Sequence, residues 1–145
     1  MILNIKQLNK SIEYHHFKMD TLLTALAMVK PGDWFISIDF SDAYYSIPVA
    51  SSSRKWLRFM FEGRLLEFNA VANGLTTGPR LFTKVLKVPL TVLRQFHGIR
   101  IVGYLDDTLV AAATRSLATS DGLTAAEMFV DLGYTINLKK SHLLA

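Results

Sequence analysis

Cysteine is absent from this chain of 145 residues, which excludes disulfide staples and thiolate metal sites and leaves the compartment open on that count. Long apolar runs are missing too. No stretch approaches the ~20 residues of a membrane-spanning helix, and Lys18, Lys30 and Asp33 interrupt the early hydrophobic part. The first residues do not read as a cleavable signal peptide. Repeats, low-complexity tracts and linkers are also lacking. One sign of charge disappears over a long interval: no acidic residue lies between Glu67 and Asp106, yet Arg80, Lys84, Lys87, Arg94 and Arg100 all do. With a net charge of +4, that interval reads either as a solvated helix face or as a track for a polyanion.

Apolar residues, by contrast, make up 50% of the chain. A domain of this length buries about 70% of the surface its unfolded chain exposes, so one real core is expected and disorder is not. Asp20 or Thr21 can cap a helix reaching Val29, with Leu22, Leu23, Leu26 and Val29 on one face and Pro31-Gly32 as its stop. Trp34 to Phe40 alternates as a strand, apolar enough to be central. Asp42 to Ser46 reads as a helical turn ending before Pro48. Arg54–Phe61 and Arg64–Asn69 read as a hairpin around Glu62-Gly63. A loop over 74–79 leads to a helix over 83–96, kinked or broken at Pro89. Ile99–Tyr104 and Thr108–Ala113 form two strands with a very short acidic connection. An amphipathic helix over 116–132 closes at Gly133, and Tyr134–Leu138 makes a last strand. This order suits an α+β fold, with an antiparallel sheet on one side and helices on the other. Trp34 and Trp56 read as core residues rather than base-stacking platforms. One face of the strand carrying Phe59, Met60 and Phe61 is expected in a core, and His15 and His16 at the surface.

Asp39 ends one apolar strand, and Asp106 and Asp107 sit in the turn of another pair. An Asp pair alone is ordinary turn chemistry. A third carboxylate at the tip of a neighbouring strand is different, because crowded carboxylates repel and raise each other's pKa values. Hard divalent cations relieve that repulsion through oxygen ligands, and two of them serve phosphoryl transfer. Whether these acids meet depends on the fold, since their spacing does not bring them together.

Four stretches resemble the motifs of retroviral and LTR-retrotransposon reverse transcriptases, in family order and over nearly the whole chain. Ser37-Ile38-Asp39-Phe40-Ser41-Asp42-Ala43-Tyr44-Tyr45-Ser46-Ile47-Pro48 is similar to the first catalytic motif, and Tyr104-Leu105-Asp106-Asp107 to the Tyr-x-Asp-Asp box. Gly74 to Phe82 resembles the template- and nucleotide-facing motif between them, and Leu132 to Ser141 the later Leu-Gly-aromatic…Lys motif. The flavour is closest to DIRS-like and Ty3-like retroelements.

The resemblance implies a polymerase palm with part of the fingers. Fingers would occupy 1–33 and the inserted hairpin 54–69; palm would occupy 34–48 and 74–145. It also implies an RNA-directed DNA polymerase, with two Mg2+ ions, or Mn2+ in their place, bound by Asp39, Asp106, Asp107 and the Phe40 carbonyl. Asp42 and Ala43 would offer N–H groups to the triphosphate, and Tyr44 would act as a steric gate favouring dNTP, against simple core packing. Asn73 and Gly74 would stand beside the incoming nucleotide. Lys139 or Lys140 would donate a proton to pyrophosphate, against a solvated pair at a strand end. Pro79, Arg80, Lys84, Lys87 and Tyr104 would face an RNA or DNA template with its primer. Val71-Ala72-Asn73 departs from the family's more usual Leu-Pro-Phe or Leu-Pro-Gln.

By the same resemblance the chain is expected to be a fragment lacking the fingertip clamp, thumb and RNase H, weakly active or inactive alone, with an intracellular location and no membrane partner. Two other readings stay open: a non-catalytic nucleic-acid-binding remnant of a retroelement, and a nucleotide-cyclising enzyme of related architecture. The second is disfavoured by Tyr44, by the 74–79 motif and by the lack of a Gly-Gly-Asp/Glu-Glu-Phe signature.

Overall fold

Alternation directs Ile36, Ile38 and Phe40 to one side of a strand, and all three are buried in the computed structural model, which describes residues 3–143. That strand, β1 (Trp34–Asp39), pairs antiparallel with β5 (Asp107–Ala112), which pairs in turn with β4 (Arg100–Tyr104). The order β1-β5-β4 puts β5 in the middle and β1 at the end, which corrects the expectation of a central first strand. The outer edge of β1 is nonetheless hydrogen-bonded. Ser37 and His142 exchange backbone bonds of 3.2 and 2.8 Å, and the Asn137 N–H donates to the Asp39 carbonyl at 2.8 Å. Burial of a strand edge requires such partners, so the apolar sequence and the edge position are compatible.

Two helices cover the buried face of the sheet. Phe82, Leu86, Leu90 and Leu93 recur at helical spacing in α3 (Gly78–Gln95) and join the core. Pro89 does not break α3: its missing N–H costs one helical bond, while its buried ring and those four neighbours gain more by packing. The helix α4 (Arg115–Asp131) is capped by the Thr114 side chain, which accepts from the Leu117 N–H at 3.2 Å. Its inner face is made of small residues, Ala118, Gly122, Ala125 and Ala126, plus Phe129, while Leu117, Leu123 and Val130 stay exposed. The expected amphipathic pattern of large residues is therefore replaced by close approach to β1. Gly133, at φ +95°, ends the helix: its N–H bonds the Val130 carbonyl, and the Tyr134 N–H bonds the Phe129 carbonyl at 2.9 Å. Those bonds draw Tyr134 into the core beside Phe40, Phe82 and Phe129. Because Tyr134 turns inward and the chain turns again at 138–140, no last strand forms; a single bridge from Ile136 to Phe40 remains.

The other parts are more open. α1 (Lys6–Ser11) and α2 (Leu22–Met28) precede the sheet, and Thr21 forms a capping box with Thr24 at the start of α2. The leucines of α2 face solvent: Leu22, Leu23 and Leu26 are 75%, 77% and 61% exposed. A 3-10 turn at Ser51–Leu57 replaces the expected start of the hairpin, whose strands are β2 (Arg58–Phe61) and β3 (Arg64–Glu67). Met60, Phe61, Leu65 and Leu66 are exposed there, and only Phe59 is half-buried, against Phe68. Trp34 and Trp56 are also exposed, contrary to expectation. Each lies beside a cation, Arg115 at 5.9 Å and Lys55 at 5.2 Å from the ring centroid.

Candidate active site

The antiparallel register sets Asp39, the last residue of β1, opposite Asp107, the first of β5. The Phe40 N–H donates to the Asp106 carbonyl at 2.8 Å, so Phe40–Asp106 is a hydrogen-bonded position and Asp39–Asp107 the closer, non-hydrogen-bonded kind. Both carboxyls emerge on the sheet face away from α3 and α4. Burial pushes the Asp107 carboxyl up. The charges of Asp106 and Asp39 and hydrogen bonding to the Asp39 side chain push it further, and the Lys140 ammonium opposes them. Between Tyr104 and Asp107 only Leu105 and Asp106 turn the chain, with Leu105 held at φ +51°. A branched side chain in that left-handed region costs on the order of 1–2 kcal/mol, which the paired strands on either side must sustain.

The backbone of Asp39 is fixed from its other edge by residues that sequence reasoning did not single out. Its N–H donates to Ser141 Oγ at 2.9 Å, and its carbonyl accepts from Asn137. Both lie in the stretch that resembled the Leu-Gly-aromatic…Lys motif, where only the lysines drew notice. Of those two exposed lysines, Lys140 is the one whose charge reaches Asp107.

Tyr44 lies in the 3-10 turn Ala43–Ser46, after Asp42 at φ +50°. Its ring meets Phe82 edge-on at 6.0 Å and would sit 3.6 Å from a Cβ on Gly78. Burial and the Asp106 charge both raise its hydroxyl pKa, so the side chain spans from the core edge to the acidic turn. Asn73 and Gly74 are exposed, with Gly74 at φ +90°, in the loop before α3; Pro79 enters α3 in its first turn. Tyr104 is 52% exposed and, with Asp107, lines a cavity of 660 Å3 bounded by Leu22, Ala25 and Val102.

The basic interval divides. Arg80, Lys84 and Lys87 share one side of α3, the lysines exposed and the arginine half-buried. Arg94 and Arg100 do not belong to that row, which corrects their inclusion in one track. Arg100 forks onto Asp33 at 2.5 and 2.7 Å and reaches the Met28 carbonyl at 3.0 Å. Arg94 bonds Asp20 at 2.6 Å and the Ile101 carbonyl at 2.8 Å. Their acidic partners are 67 and 74 residues upstream, so no local pattern could disclose the pairs.

Among the described residues, no group of three or more His, Cys, Asp or Glu side chains is arranged to hold a metal ion. Two of the three acids instead face each other across the register of β1 and β5. What fits a hard divalent cation is the chemistry of the set: carboxylate oxygens, a surplus of negative charge in a small space, and one carboxyl whose pKa is raised by burial and then by the other two acids.

Comparison with known proteins agrees with this architecture. The profile of the family described as reverse transcriptase (RNA-dependent DNA polymerase) matches residues 1–145. The Gag-Pol polyprotein of avian reticuloendotheliosis virus is 27% identical over 151 aligned positions, covering 99% of this chain and 13% of the polyprotein. That of walleye dermal sarcoma virus is 28% identical, covering 83% of this chain and 7% of the polyprotein. Among solved structures, the foamy viral protease-reverse transcriptase in complex with double-stranded DNA superposes with a TM-score of 0.82 at 24% identity, over 100% of this chain and 25% of the other. The native protease-reverse transcriptase of prototype foamy virus gives 0.82 at 19% identity, over 97% of this chain and 18% of the other. No helix among the described residues is long and apolar enough to cross a membrane.

Proposed function

Because the chain belongs to the reverse transcriptase (RNA-dependent DNA polymerase) family, we propose that it carries the catalytic centre of template-directed nucleotidyl transfer from dNTP to a primer 3′-hydroxyl. The observation that carries this reading is the register of β1 on β5, with Asp39 opposite Asp107 and Asp106 adjoining. Residues 34–48 and 74–145 then form palm, and 1–33 and 54–69 belong to fingers.

In the reaction the primer oxygen bonds the α-phosphorus, the bond to the β-phosphate oxygen breaks, and pyrophosphate departs. Phosphoryl transfer demands in-line positioning and charge neutralisation more than covalent help. Asp39, Asp106, Asp107 and the Phe40 carbonyl would hold two Mg2+ ions. When bound, such ions supply neutralising charge to the attacking and leaving oxygens. Lys140, the lysine that acts on Asp107, gives a proton to pyrophosphate. The Tyr44 ring lies under the sugar and excludes a 2′-hydroxyl, while Asn73 and Gly74 border the nucleotide. Asp42 and Ala43 offer N–H groups to its phosphates. Pro79 and Tyr104 flank the template–primer, and Arg80, Lys84 and Lys87 follow template phosphates.

Primer extension on poly(rA)–oligo(dT) with Mg2+ tests the proposal. Product from the parent chain and none from Asp106→Asn is the expected result. No incorporation with Mg2+ or Mn2+, on RNA or DNA templates, overturns it. Primer–template binding that persists in EDTA and without the carboxylates, with no product, identifies a binding remnant instead.

A further inference from the structure

The loop that precedes α3 is held by one side chain from far upstream. Asn9, in α1, donates from Nδ2 to the Gly74 carbonyl at 2.9 Å and accepts at Oδ1 from the Thr76 N–H at 2.9 Å. Neither partner is ambiguous: a carbonyl only accepts and an N–H only donates, so the orientation of the amide is fixed by what it meets. The separations are 65 and 67 residues, so the clamp is a tertiary device rather than a turn of local chain.

The clamped segment is one that needs fixing. Gly74 sits at φ +90°, outside the range most side chains allow, and the chain must then deliver Gly78 against Tyr44 and place Pro79 in the first turn of α3. Leu75 bonds back to the Ala72 carbonyl only at 3.3 Å, the longest of the loop's own backbone bonds. α1 has no buried residue of its own, but Ile5 anchors its start, and Leu8 and Ile12 border the same cavity as Leu75 and Thr77. Two short exposed segments therefore meet, and the Asn9 amide ties one to the other.

We propose that Asn9 is a positioning residue that preforms the nucleotide-facing loop at 73–77, so that the pocket for the incoming dNTP is built before the dNTP arrives. This rests on the polymerase reading above. Asn9 touches no reacting atom. It acts through the Gly74 carbonyl and Thr76 N–H, which hold Asn73 and Gly74 beside the base pair being formed. Ordering a loop at the moment of binding weakens binding, whereas ordering it beforehand does not. Loss of the clamp thus appears in the affinity for dNTP more than in the chemical step.

The experiment pairs amide hydrogen exchange with dNTP-dependent primer extension for the parent, Asn9→Ala and Asn9→Asp. Asn9→Ala is expected to lose protection at the Thr76 amide while Phe40 and Ser37 keep theirs. Its KM for dNTP should rise about tenfold, the worth of roughly one net hydrogen bond, with kcat within about twofold. Asn9→Asp keeps the acceptor for Thr76 but sets a carboxylate against the Gly74 carbonyl. It should retain Thr76 protection and fall between the other two in KM. An active parent with unchanged KM in Asn9→Ala overturns the positioning role and leaves the polymerase reading standing. Equal losses in KM and kcat, together with lost protection at Phe40 and Ser37, overturn it in favour of a general folding role. An inactive parent removes the polymerase reading and this inference with it.

Discussion

Asp39 and Asp107 face each other across an antiparallel pair, with Asp106 one residue away. Two acids on opposite strands at the close-contact position repel once both ionise. The fold tolerates this because β1 is tied on both edges and cannot drift from β5. Function is the natural reason for a sequence to keep such an arrangement.

Replacement of Asp107 by Asn should therefore stabilise and inactivate together. The Asp107 pKa is raised in the folded chain, which then binds more protons than the unfolded one, so stability falls as pH rises from about 3.8 through the folded value. In EDTA, Asp107→Asn should flatten that fall and raise the neutral-pH Tm, while primer extension with Mg2+ drops by about 10²–10³-fold. Thermal melts between pH 3 and 8 read the first effect. A variant melting below the parent at pH 7 would contradict the repulsion argument.

The opposite pH dependence belongs to Asp33. The Arg100 guanidinium holds its carboxyl at about 2 rather than 3.8, and its side chain is almost wholly buried. This depressed pKa contributes stability that is complete above about pH 4 and lost as pH falls toward 2. Arg100→Ala strips Asp33 of its fork and frees the Met28 carbonyl, so Tm should fall by several degrees at pH 7 and lose its dependence on pH in that acid window. Arg94→Ala, at a more exposed pair, should cost less. Equal losses for the two variants would show that burial does not set the value of these bridges.

Local signals made much of the fold legible. Thr21 as a cap, Gly133 as a stop, the alternation through Ile36 and Ile38 and the tight acidic turn are each encoded within a few residues, and each appears in the structure. The acidic centre was legible as a set of residue types, but its assembly depended on which strand β1 chose as partner. Arg94 and Arg100 looked like free cations because their carboxylates lie in another part of the chain. Trp34 and Trp56 misled differently: size and apolarity argue for burial, yet Trp34 at the start of β1 and Trp56 near the end of the 3-10 turn Ser51–Leu57 both face outward. For Tyr44, packing of the ring on Phe82 does not take the side chain away from the acidic turn, since its hydroxyl feels Asp106.

The two lysines near the end of the chain should separate. Lys140 influences Asp107, and its N–H bonds the Asn137 carbonyl at 3.2 Å, tying it to the residue that holds Asp39. If it supplies the proton to pyrophosphate, Lys140→Ala should slow kcat by about 10²-fold or more. Lys139→Ala should stay within a few-fold. Single-turnover extension rates of the two variants, measured beside the parent at saturating dNTP, distinguish them. Equal rates for the two variants would return both lysines to the solvated surface.

Tyr134 offers a test of packing without chemistry. Its ring is buried among Phe40, Phe82 and Phe129, and its hydroxyl has no hydrogen-bond partner among the described residues. A buried hydroxyl without a partner costs about 1–3 kcal/mol in desolvation, so Tyr134→Phe should be neutral or gain up to about 1 kcal/mol by denaturant titration. Tyr134→Ala should lose roughly 3–5 kcal/mol. Clear destabilisation of Tyr134→Phe would reveal a partner for the hydroxyl in solution.

Two glycines decide how closely the helices approach the sheet, and they should respond unequally to a methyl group. A Cβ on Gly103 would come within 2.9 Å of Leu90 Cδ1 and 3.1 Å of Leu86 Cδ2, the free ends of side chains that can turn aside. A Cβ on Gly122 would come within 2.7 Å of Ile36 Cγ2 and 3.1 Å of Ile36 Cβ, which is branched at the backbone and cannot. Ala is the better helix former by about 1 kcal/mol, but overpacking a tight contact costs about 1–3 kcal/mol, and here the obstacle is the strand itself. Gly122→Ala should therefore lose stability despite its helix position. Since Ile36 lies on the strand that carries Asp39, the same push should disturb the Asp39–Asp107 register and depress primer extension more than Gly103→Ala does. Unfolding curves and extension rates measured side by side would show this. A Gly122→Ala chain as stable as the parent would mean that α4 can lift off the sheet without cost, and that the acids do not depend on its close approach.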